Sequence, residues 1–263
     1  MSAFPPALVN TPPPPLTKLH LDLSPGFIQT LLNEVNFEDK RSGHIMLYGH
    51  NSGVSIDSKW LSVADKIVQQ SLPRLAGAKR ETTILSVRLL VSPSGTAAQT
   101  WHLDYARHKR PNGKKLENQT IFVNLTESTI DNCTELLRFE DEESVRDWAQ
   151  EQANQKRDVV IDSPVTDSRF VPLNEAEPCE IAGFPGFVYR AAYPAGSAFH
   201  IPTSEVFHRR GANHSDNTRV TLNIDFAYGT DIGDFVCVDS QSASQGALCD
   251  DDNISDSYDI DLV

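Results

Sequence analysis

Short strand-like segments fill the chain between residues 82 and 228, and they restrict its fold more than any other feature. In several of them apolar and polar residues alternate, and Gly, Pro and Asn occupy the gaps. The segments are TTILSVRLLV (82–91), QTIFVNLT (119–126), ELLRF (135–139), FVYRAAY (187–193), SAFHI (197–201) and RVTLNIDFAY (219–228). A series of short strands with turn residues between them predicts a β sandwich or barrel.

Helical segments stand mainly before the strands. Ser24 followed by Pro25 is typical of a helix start, because Ser caps free N–H groups and Pro fits the first turn. A second helix is predicted over 57–75, and an acidic surface helix over 140–156 interrupts the strand series. Helices followed by strands predict an α+β protein with N-terminal helices packed outside a barrel.

The two ends of the chain differ in composition from the middle. Residues 1–18 are rich in proline, which favours an extended tail or an arm lying on the body. Residues 231–263 contain nine Asp and no Lys or Arg, and few large apolar residues. We therefore predict a Pro-rich arm (1–18), a single domain (19–230) and an acidic, poorly ordered tail (231–263).

Charge and cysteine content exclude several classes of protein. The net charge is −13, of which the last 33 residues contribute −9, so a nucleic-acid partner is not expected. No window is apolar enough for a membrane helix, so a membrane partner is not expected either. Four scattered cysteines and an N-terminus without signal-peptide features predict a reduced, cytoplasmic protein. The oligomeric state stays open.

One segment offers metal ligands. His102 and Asp104 are two residues apart, so on an extended segment their side chains point to the same side. A third ligand has to come from elsewhere, and His208, before a Gly/Asn/Ser/Asp loop, is the best candidate. Two His and one carboxylate are a ligand set of non-haem Fe(II) and leave coordination positions open for a 2-oxo acid and O2.

A cation for the second end of such a 2-oxo acid follows the loop. Arg219 opens the next strand, and Thr221 lies on the same side of that strand. An Arg can pair bidentately with the far carboxylate of 2-oxoglutarate, and a Thr hydroxyl can add a hydrogen bond. The alternative for Arg219 is an ordinary ion pair, for example with Asp225.

These residues resemble the Fe(II)/2-oxoglutarate-dependent dioxygenases, most closely the phytanoyl-CoA hydroxylase-like branch. His102 and Asp104 match the H-x-D motif of the family. The distal pattern H-x-x-G-x-N-x-S-x-x-x-R is matched by His208, Gly211, Asn213, Ser215 and Arg219. The segment FVNLTESTIDNCTELLRF resembles the central block, and the resemblance spans roughly 80–228.

The resemblance implies a fold, cofactors and one more site residue. The expected fold is a double-stranded β-helix, a jelly-roll or cupin-like barrel with iron at its mouth. His102, Asp104 and His208 would be the catalytic metal ligands, and Arg219, Thr221 and Gln99 would bind the cosubstrate. Fe(II), 2-oxoglutarate and O2 are the implied cofactor and cosubstrates. Two departures from the pattern are Cys133, where Gly is expected, and Arg210, where relatives often have Ser.

The implied reaction is oxidation of a small organic molecule, by hydroxylation or a related C–H oxidation, with release of succinate and CO2. Two alternatives are a protein side-chain hydroxylase of the same chemistry and a non-catalytic cupin-type metal- or ligand-binding protein. Arg88, inside an apolar run, either faces the barrel mouth, where it could meet an anionic substrate, or pairs at an edge. His200 is expected to be a core histidine, and the basic loop HKRPNGKK (108–115) a lid or a solvated turn.

Overall fold

The computed structural model describes residues 13–21, 23–34, 43–49, 58–75, 81–99, 101–104, 118–145, 147–148, 176–181, 183–229 and 258–259. The helices are α1 (Pro25–Glu34) and α2 (Ser58–Leu75). The strands are β1 (Thr17–Leu19), β2 (Gly43–Gly49), β3 (Thr82–Ser92), β4 (His102–Leu103), β5 (Asn118–Asn124), β6 (Thr134–Phe139), β7 (Glu177–Ile181), β8 (Phe184–Ala191), β9 (Ala198–Ile201), β10 (Phe207–Arg210), β11 (Arg219–Tyr228) and β12 (Tyr258–Asp259).

The strands form two six-stranded sheets in which every pairing is antiparallel. The first sheet has the order β1-β9-β5-β11-β3-β2, and the second has the order β12-β4-β10-β6-β8-β7. From β3 to β6 and again from β8 to β11, successive strands alternate between the two sheets. The sheets face each other, because Phe122 and Phe199 of the first pack in one buried cluster with Leu136 and Tyr189 of the second. This is the predicted α+β, jelly-roll architecture.

Strand β11 of the first sheet is apolar on its outer face and polar on its inner face. Side chains alternate along β11, so Val220, Leu222 and Ile224 point one way. They pack outside the barrel in one cluster with Ile67 and Val68 of α2. The helices therefore cover the outer face of this sheet, as predicted. The inner face carries the alternate residues, Arg219, Thr221, Asn223 and Asp225, all of which are buried.

The N-terminal helices begin and end close to the predicted positions. Ser24 caps α1, since its Oγ accepts a hydrogen bond from the Phe27 N–H at 3.2 Å. The helix α2 covers 58–75 against the predicted 57–75. Of the predicted acidic helix, residues 142–145 and 147–148 are helical, and the rest lies outside the described residues. None of the described helices is long and apolar enough to cross a membrane.

The described part of the N-terminal arm lies on the body. Its strand β1 pairs with β9, and Arg74 Nη1 of α2 donates to the Lys18 carbonyl at 3.2 Å. Arg138 Nη1, on the second sheet, donates to the Pro13 carbonyl at 2.8 Å. Of the acidic tail, only β12 is described, and it pairs with β4. The domain boundaries, and the disorder expected for the tail, stay predictions.

Candidate metal centre

Two neighbouring strands bring the proposed ligands together. His102 of β4 and His208 of β10 are directly opposite each other in the antiparallel pair. Asp104 follows β4, and its backbone N–H donates to the Thr203 carbonyl at 2.9 Å. Because His102 and Asp104 are two residues apart on this extended segment, their side chains turn to the same side. The register of one strand pair therefore assembles a site from residues more than 100 positions apart.

The three side chains converge on a volume the size of a metal site. One potential ligand atom from each of His102, Asp104 and His208 lies within 4.8 Å of the others. Asp104 Oδ1 is 3.7 Å from His102 Nε2, and Asp104 Oδ2 is 3.5 Å from His208 Nε2. The two imidazole rings have centroids 4.5 Å apart. Among the described residues, this is the one group of three or more His, Cys, Asp or Glu side chains that can hold a metal ion.

A backbone carbonyl fixes the orientation of His208. Its Nδ1 lies 3.0 Å from the carbonyl oxygen of Val206, so Nδ1 carries a proton and donates it to that oxygen. The lone pair of the neutral ring is then on Nε2, which faces Asp104. A hydrogen bond of this kind to the second ring nitrogen is typical of metal-binding histidines.

Asp104 and His208 shift each other's pKa. Burial alone would raise the pKa of Asp104, but the charges of His208, His102 and Arg88 hold this pKa well below its usual range. Burial alone would lower the pKa of His208, but the Asp104 carboxylate outweighs it and raises that pKa. Asp104 is therefore an anion at neutral pH, and a divalent cation bound at Nε2 of His208 would compete with protonation of that ring.

Arg219 is buried on the same inner surface, and part of its guanidinium has no partner. The residue is 1% exposed, and its Nη2 donates to Thr134 Oγ1 of the opposite sheet at 2.5 Å. Within the described part of the chain, its Nε and Nη1 have no hydrogen-bond partner, and neither has the Thr221 hydroxyl. Burial lowers the pKa of Arg219 to about 10, so the group stays charged at neutral pH. The alternative for Arg219, an ion pair with Asp225, does not form, because Asp225 pairs with Arg88.

Gln99 is held beside β10 by the backbone. Its N–H donates to the Arg210 carbonyl at 2.9 Å, and its Oε1 accepts from the Arg210 N–H at 3.2 Å. The Gln99 amide oxygen is therefore already occupied. Its role toward a cosubstrate stays a prediction.

The other residues of the distal pattern have a structural explanation. A Cβ on Gly211 would lie 2.6 Å from the carbonyl oxygen of Cys133, so no larger residue fits there. Asn213 Nδ2 donates to the carbonyls of Ser92 and Asn217 at 2.7 and 2.8 Å. Asn213 Oδ1 accepts hydrogen bonds from Ser215. These residues hold the loop between β10 and β11 and thereby set His208 relative to Arg219.

The structure gives the surroundings of Cys133, which departs from the family pattern, and of Arg88, for which the sequence leaves two roles open. Cys133 is buried with its thiol pKa raised to about 12, mainly by that burial. Arg88 lies on the inner face, 4.0 Å from Asp104 Oδ2 and 2.6 Å from Asp225 Oδ2. It therefore faces the site and is paired at the same time. The basic loop 108–115 lies outside the described residues.

His200 lies on the outer side of the first sheet, away from the three ligands. Its Nε2 is 2.8 Å from Gln119 Oε1, and burial lowers its pKa to about 4. It is the buried core histidine that the sequence predicts.

Three residues of this region were not singled out from the sequence: Thr134, Thr120 and Thr203. Each belongs to a strand or turn that meets the site only through pairing with a distant segment, so local patterns carry no signal for them. Asp225 is different, because the alternation in RVTLNIDFAY puts it on the same face as Arg219.

Among the comparisons with known proteins, only the comparison with solved structures found similar proteins. No protein-family profile matches the chain, and no curated protein matches it. The non-heme alpha ketoglutarate dependent carbocyclase SnoK from nogalamycin biosynthesis is 15% identical, with 81% of this chain and 79% of that chain covered and a TM-score of 0.49. The epimerase SnoN from the same biosynthesis is 11% identical over 81% and 77%, with a TM-score of 0.49. EctD from S. alaskensis, in its apo form, is 13% identical over 81% and 73%, with a TM-score of 0.49.

Proposed function

We propose that this chain is an Fe(II)- and 2-oxoglutarate-dependent oxygenase of the phytanoyl-CoA hydroxylase-like branch. It oxidises a small organic molecule and releases succinate and CO2. One observation carries the proposal. A convergent His-Asp-His set shares the inner barrel surface with Arg219, a buried guanidinium of which two nitrogens have no hydrogen-bond partner in the part of the chain that the structure describes.

The ligand set fits ferrous iron. His102 and His208 offer neutral imidazole nitrogens, and Asp104 offers the anion that offsets part of the charge of a divalent cation. When bound, iron supplies the activation of O2 and of the 2-oxo acid, which no side chain here can perform. The protein contributes the fixed Nε2 of His208 and an ionised Asp104, both present before the metal binds.

The inner face of β11 fits the far carboxylate of 2-oxoglutarate. Arg219 offers two donor nitrogens and a positive charge, and the Thr221 hydroxyl offers a further hydrogen bond. Leaving such donors buried and unpaired costs free energy, and a carboxylate removes that cost. Arg219 therefore orients the cosubstrate so that its 2-oxo acid end reaches the three ligands. A non-catalytic metal-binding protein has no use for this anion site.

The test follows 2-oxoglutarate and metal together. The anaerobic protein loaded with Fe(II) is titrated with 2-oxoglutarate, and chelation is followed by the visible charge-transfer absorption of the complex. Succinate release is then measured in air with and without Fe(II). We expect chelation and Fe(II)-dependent succinate in the wild type, chelation that is weakened by Arg219→Met, and neither in Asp104→Ala. Metal binding without 2-oxoglutarate binding would contradict the oxygenase and favour the non-catalytic alternative.

A further inference from the structure

Asp225 is a fully buried carboxylate that the proposed chemistry does not use. Its Oδ2 accepts hydrogen bonds from Ser86 Oγ and, at 2.6 Å, from Arg88 Nη2. Its Oδ1 accepts from Thr120 Oγ1 at 2.7 Å. The residue is 0% exposed. A charge this deep in a fold needs partners to be tolerated, and all of the partners of Asp225 lie on the inner surface that holds the candidate ligands.

A first connection runs from Asp225 to the side chain of Asp104. Arg88 Nη2 is 2.6 Å from Asp225 Oδ2 and 4.0 Å from Asp104 Oδ2. The same oxygen of Asp104 is 3.5 Å from His208 Nε2. Arg88 thus stands beside the ligand carboxylate while Asp225 fixes the guanidinium from the other side.

A second connection runs from Asp225 to the backbone of Asp104. Thr120 Oγ1, which donates to Asp225, is 2.8 Å from Thr203 Oγ1. Asn118 Nδ2 donates to the same Thr203 hydroxyl at 2.8 Å. The Thr203 carbonyl in turn accepts the Asp104 N–H at 2.9 Å. The side chain and the main chain of Asp104 are therefore both linked to one buried anion.

We propose that Asp225 and Arg88 are positioning residues that hold Asp104 in the orientation in which it binds the metal. A free carboxylate can rotate, and a rotated carboxylate no longer directs a lone pair at the cation. A guanidinium beside one oxygen opposes this rotation, because it attracts that oxygen and thereby fixes the plane of the carboxylate. The inference deepens the proposed function and rests on the metal site that it assumes. It also answers why Arg88 faces the barrel mouth: Arg88 is already paired with two carboxylates, so it orients a ligand and does not serve as an anchor for an anionic substrate.

The experiment measures the affinity for Co(II), a spectroscopic substitute for Fe(II), in the full-length protein without any turnover. The dissociation constant and the visible d–d spectrum of bound Co(II) are recorded for wild type, Asp225→Asn, Arg88→Met, Arg88→Lys and the double variant Arg88→Met/Asp225→Asn. The matched control is Glu177→Gln, which breaks the Arg190–Glu177 ion pair (3.0 Å) on the second sheet. Circular dichroism and melting temperature establish that each variant is folded.

We expect Asp225→Asn and Arg88→Met to raise the Co(II) dissociation constant about tenfold or more, as loss of a group that orients a metal ligand does. The d–d spectrum should change with it, Arg88→Lys should recover part of the affinity, and Glu177→Gln should behave as wild type. The double variant removes both charges of the Arg88–Asp225 pair, so neither charge is left buried alone. It therefore serves as the test if a single variant does not fold. Because Arg88 and Asp225 act as one unit, the double variant should bind Co(II) no more weakly than the single variant with the lower affinity.

Two results would overturn the inference, and they are distinguishable. Folded Asp225→Asn and double variants with the affinity and spectrum of wild type would remove the positioning role and leave the proposed function standing. A wild-type protein that does not bind Co(II) would overturn the metal site itself, and the proposed function with it.

Discussion

The inner face of β11 has two ends that treat buried polar groups in opposite ways. At one end, both oxygens of Asp225 accept hydrogen bonds from neighbouring strands, and Arg88 balances its charge. At the other end, two guanidinium nitrogens of Arg219 and the Thr221 hydroxyl have no hydrogen-bond partner among the described residues. Exposure does not explain the difference, since Asp225 is 0% and Arg219 1% exposed.

The oxygens of Asp225 have hydrogen-bond partners within the protein, whereas Arg219 and Thr221 keep donors that are available to a ligand. A buried polar group without a partner destabilises the folded protein, so most such groups are satisfied internally. The two oxygens of the Asp225 carboxylate follow that rule. The Arg219 end breaks it on the surface that the proposed ligands share, and this is expected where an anion binds. Mutations at the Asp225 end should therefore mainly lower the free energy of unfolding, and mutations at the Arg219 end should mainly weaken ligand binding.

The largest effect on stability is expected at the satisfied end. Asp225→Ala removes one partner of a buried ion pair, so we expect the metal-free protein to lose about 3–5 kcal/mol of its free energy of unfolding. Chemical denaturation measures this directly. The control Glu177→Gln weakens one ion pair of Arg190 and leaves Arg190 still paired with Glu135, so it should cost less than Asp225→Ala. A loss for Asp225→Ala no larger than that of the control would mean that this end is not held by charge.

At the unsatisfied end, the effect should appear in binding. Arg219→Met should weaken 2-oxoglutarate binding by about 2–5 kcal/mol, because the carboxylate loses its buried cation. The free energy of unfolding without ligand should stay the same or rise, since an unpaired buried charge is replaced by an apolar chain of similar size. Arg190→Met is the matched control, because Arg190 is paired with Glu135 and Glu177. Arg190→Met should lower the free energy of unfolding and leave the affinity for 2-oxoglutarate unchanged. A variant with weakened 2-oxoglutarate binding and unchanged stability would refute the contrast between the two ends.

His200, a third buried polar group of the first sheet, tests whether the free-energy cost of burying such a group depends on pH. Burial lowers the pKa of His200 to about 4, whereas an unfolded chain holds a histidine near its ordinary value of 6.5. The unfolded state therefore binds more protons between these values, and stability should fall by about 2–3 kcal/mol as the pH drops from 6.5 to 4. His200→Gln should flatten this part of the curve of unfolding free energy against pH. An unchanged slope in the variant would assign the acid sensitivity to other groups.

The smallest effect is expected at Thr221. Thr221→Val removes one unpaired hydroxyl at almost constant volume, so the free energy of unfolding without ligand should not fall. The affinity for 2-oxoglutarate should drop by about 1 kcal/mol, the usual contribution of one hydrogen bond. Isothermal titration calorimetry of wild type and variant in the presence of metal measures both affinities. An unchanged affinity would leave Arg219 as the anion anchor and remove Thr221 from it.

Local patterns predict the strands of the barrel and the convergence of its candidate ligands. Alternation in RVTLNIDFAY correctly separates an inner polar stripe from an outer apolar one, because side-chain direction in a strand depends on position alone. The spacing of His102 and Asp104 places them on one side for the same reason. The start of α1 at Pro25 follows from capping, which is also a local effect.

Features set by pairing between distant segments could not be predicted. The strands β1, β2, β7 and β12 were not predicted, and β2 and β12 are placed by their pairing with β3 and β4. The partner of Asp225 depends on the pairing of β11 with β3, which shifts by one residue between Asp225 and Phe226. The contact between Arg219 and Thr134 joins the two sheets, and no sequence period encodes the distance between sheets.

The outward apolar face of β11 has a consequence for how such a chain can change its chemistry. Val220, Leu222 and Ile224 supply hydrophobic stabilisation against the helices, on the side away from the ligands. Burial of apolar surface is the main driving force of folding, so the strand does not depend on its inward residues for this share of its stability. The inward position Asn223 can therefore be exchanged to fit another ligand while the scaffold keeps its fold. For directed evolution, the outer face of the strand and the inward Arg219 and Asp225 are the parts to leave untouched, and Asn223 is the position to randomise.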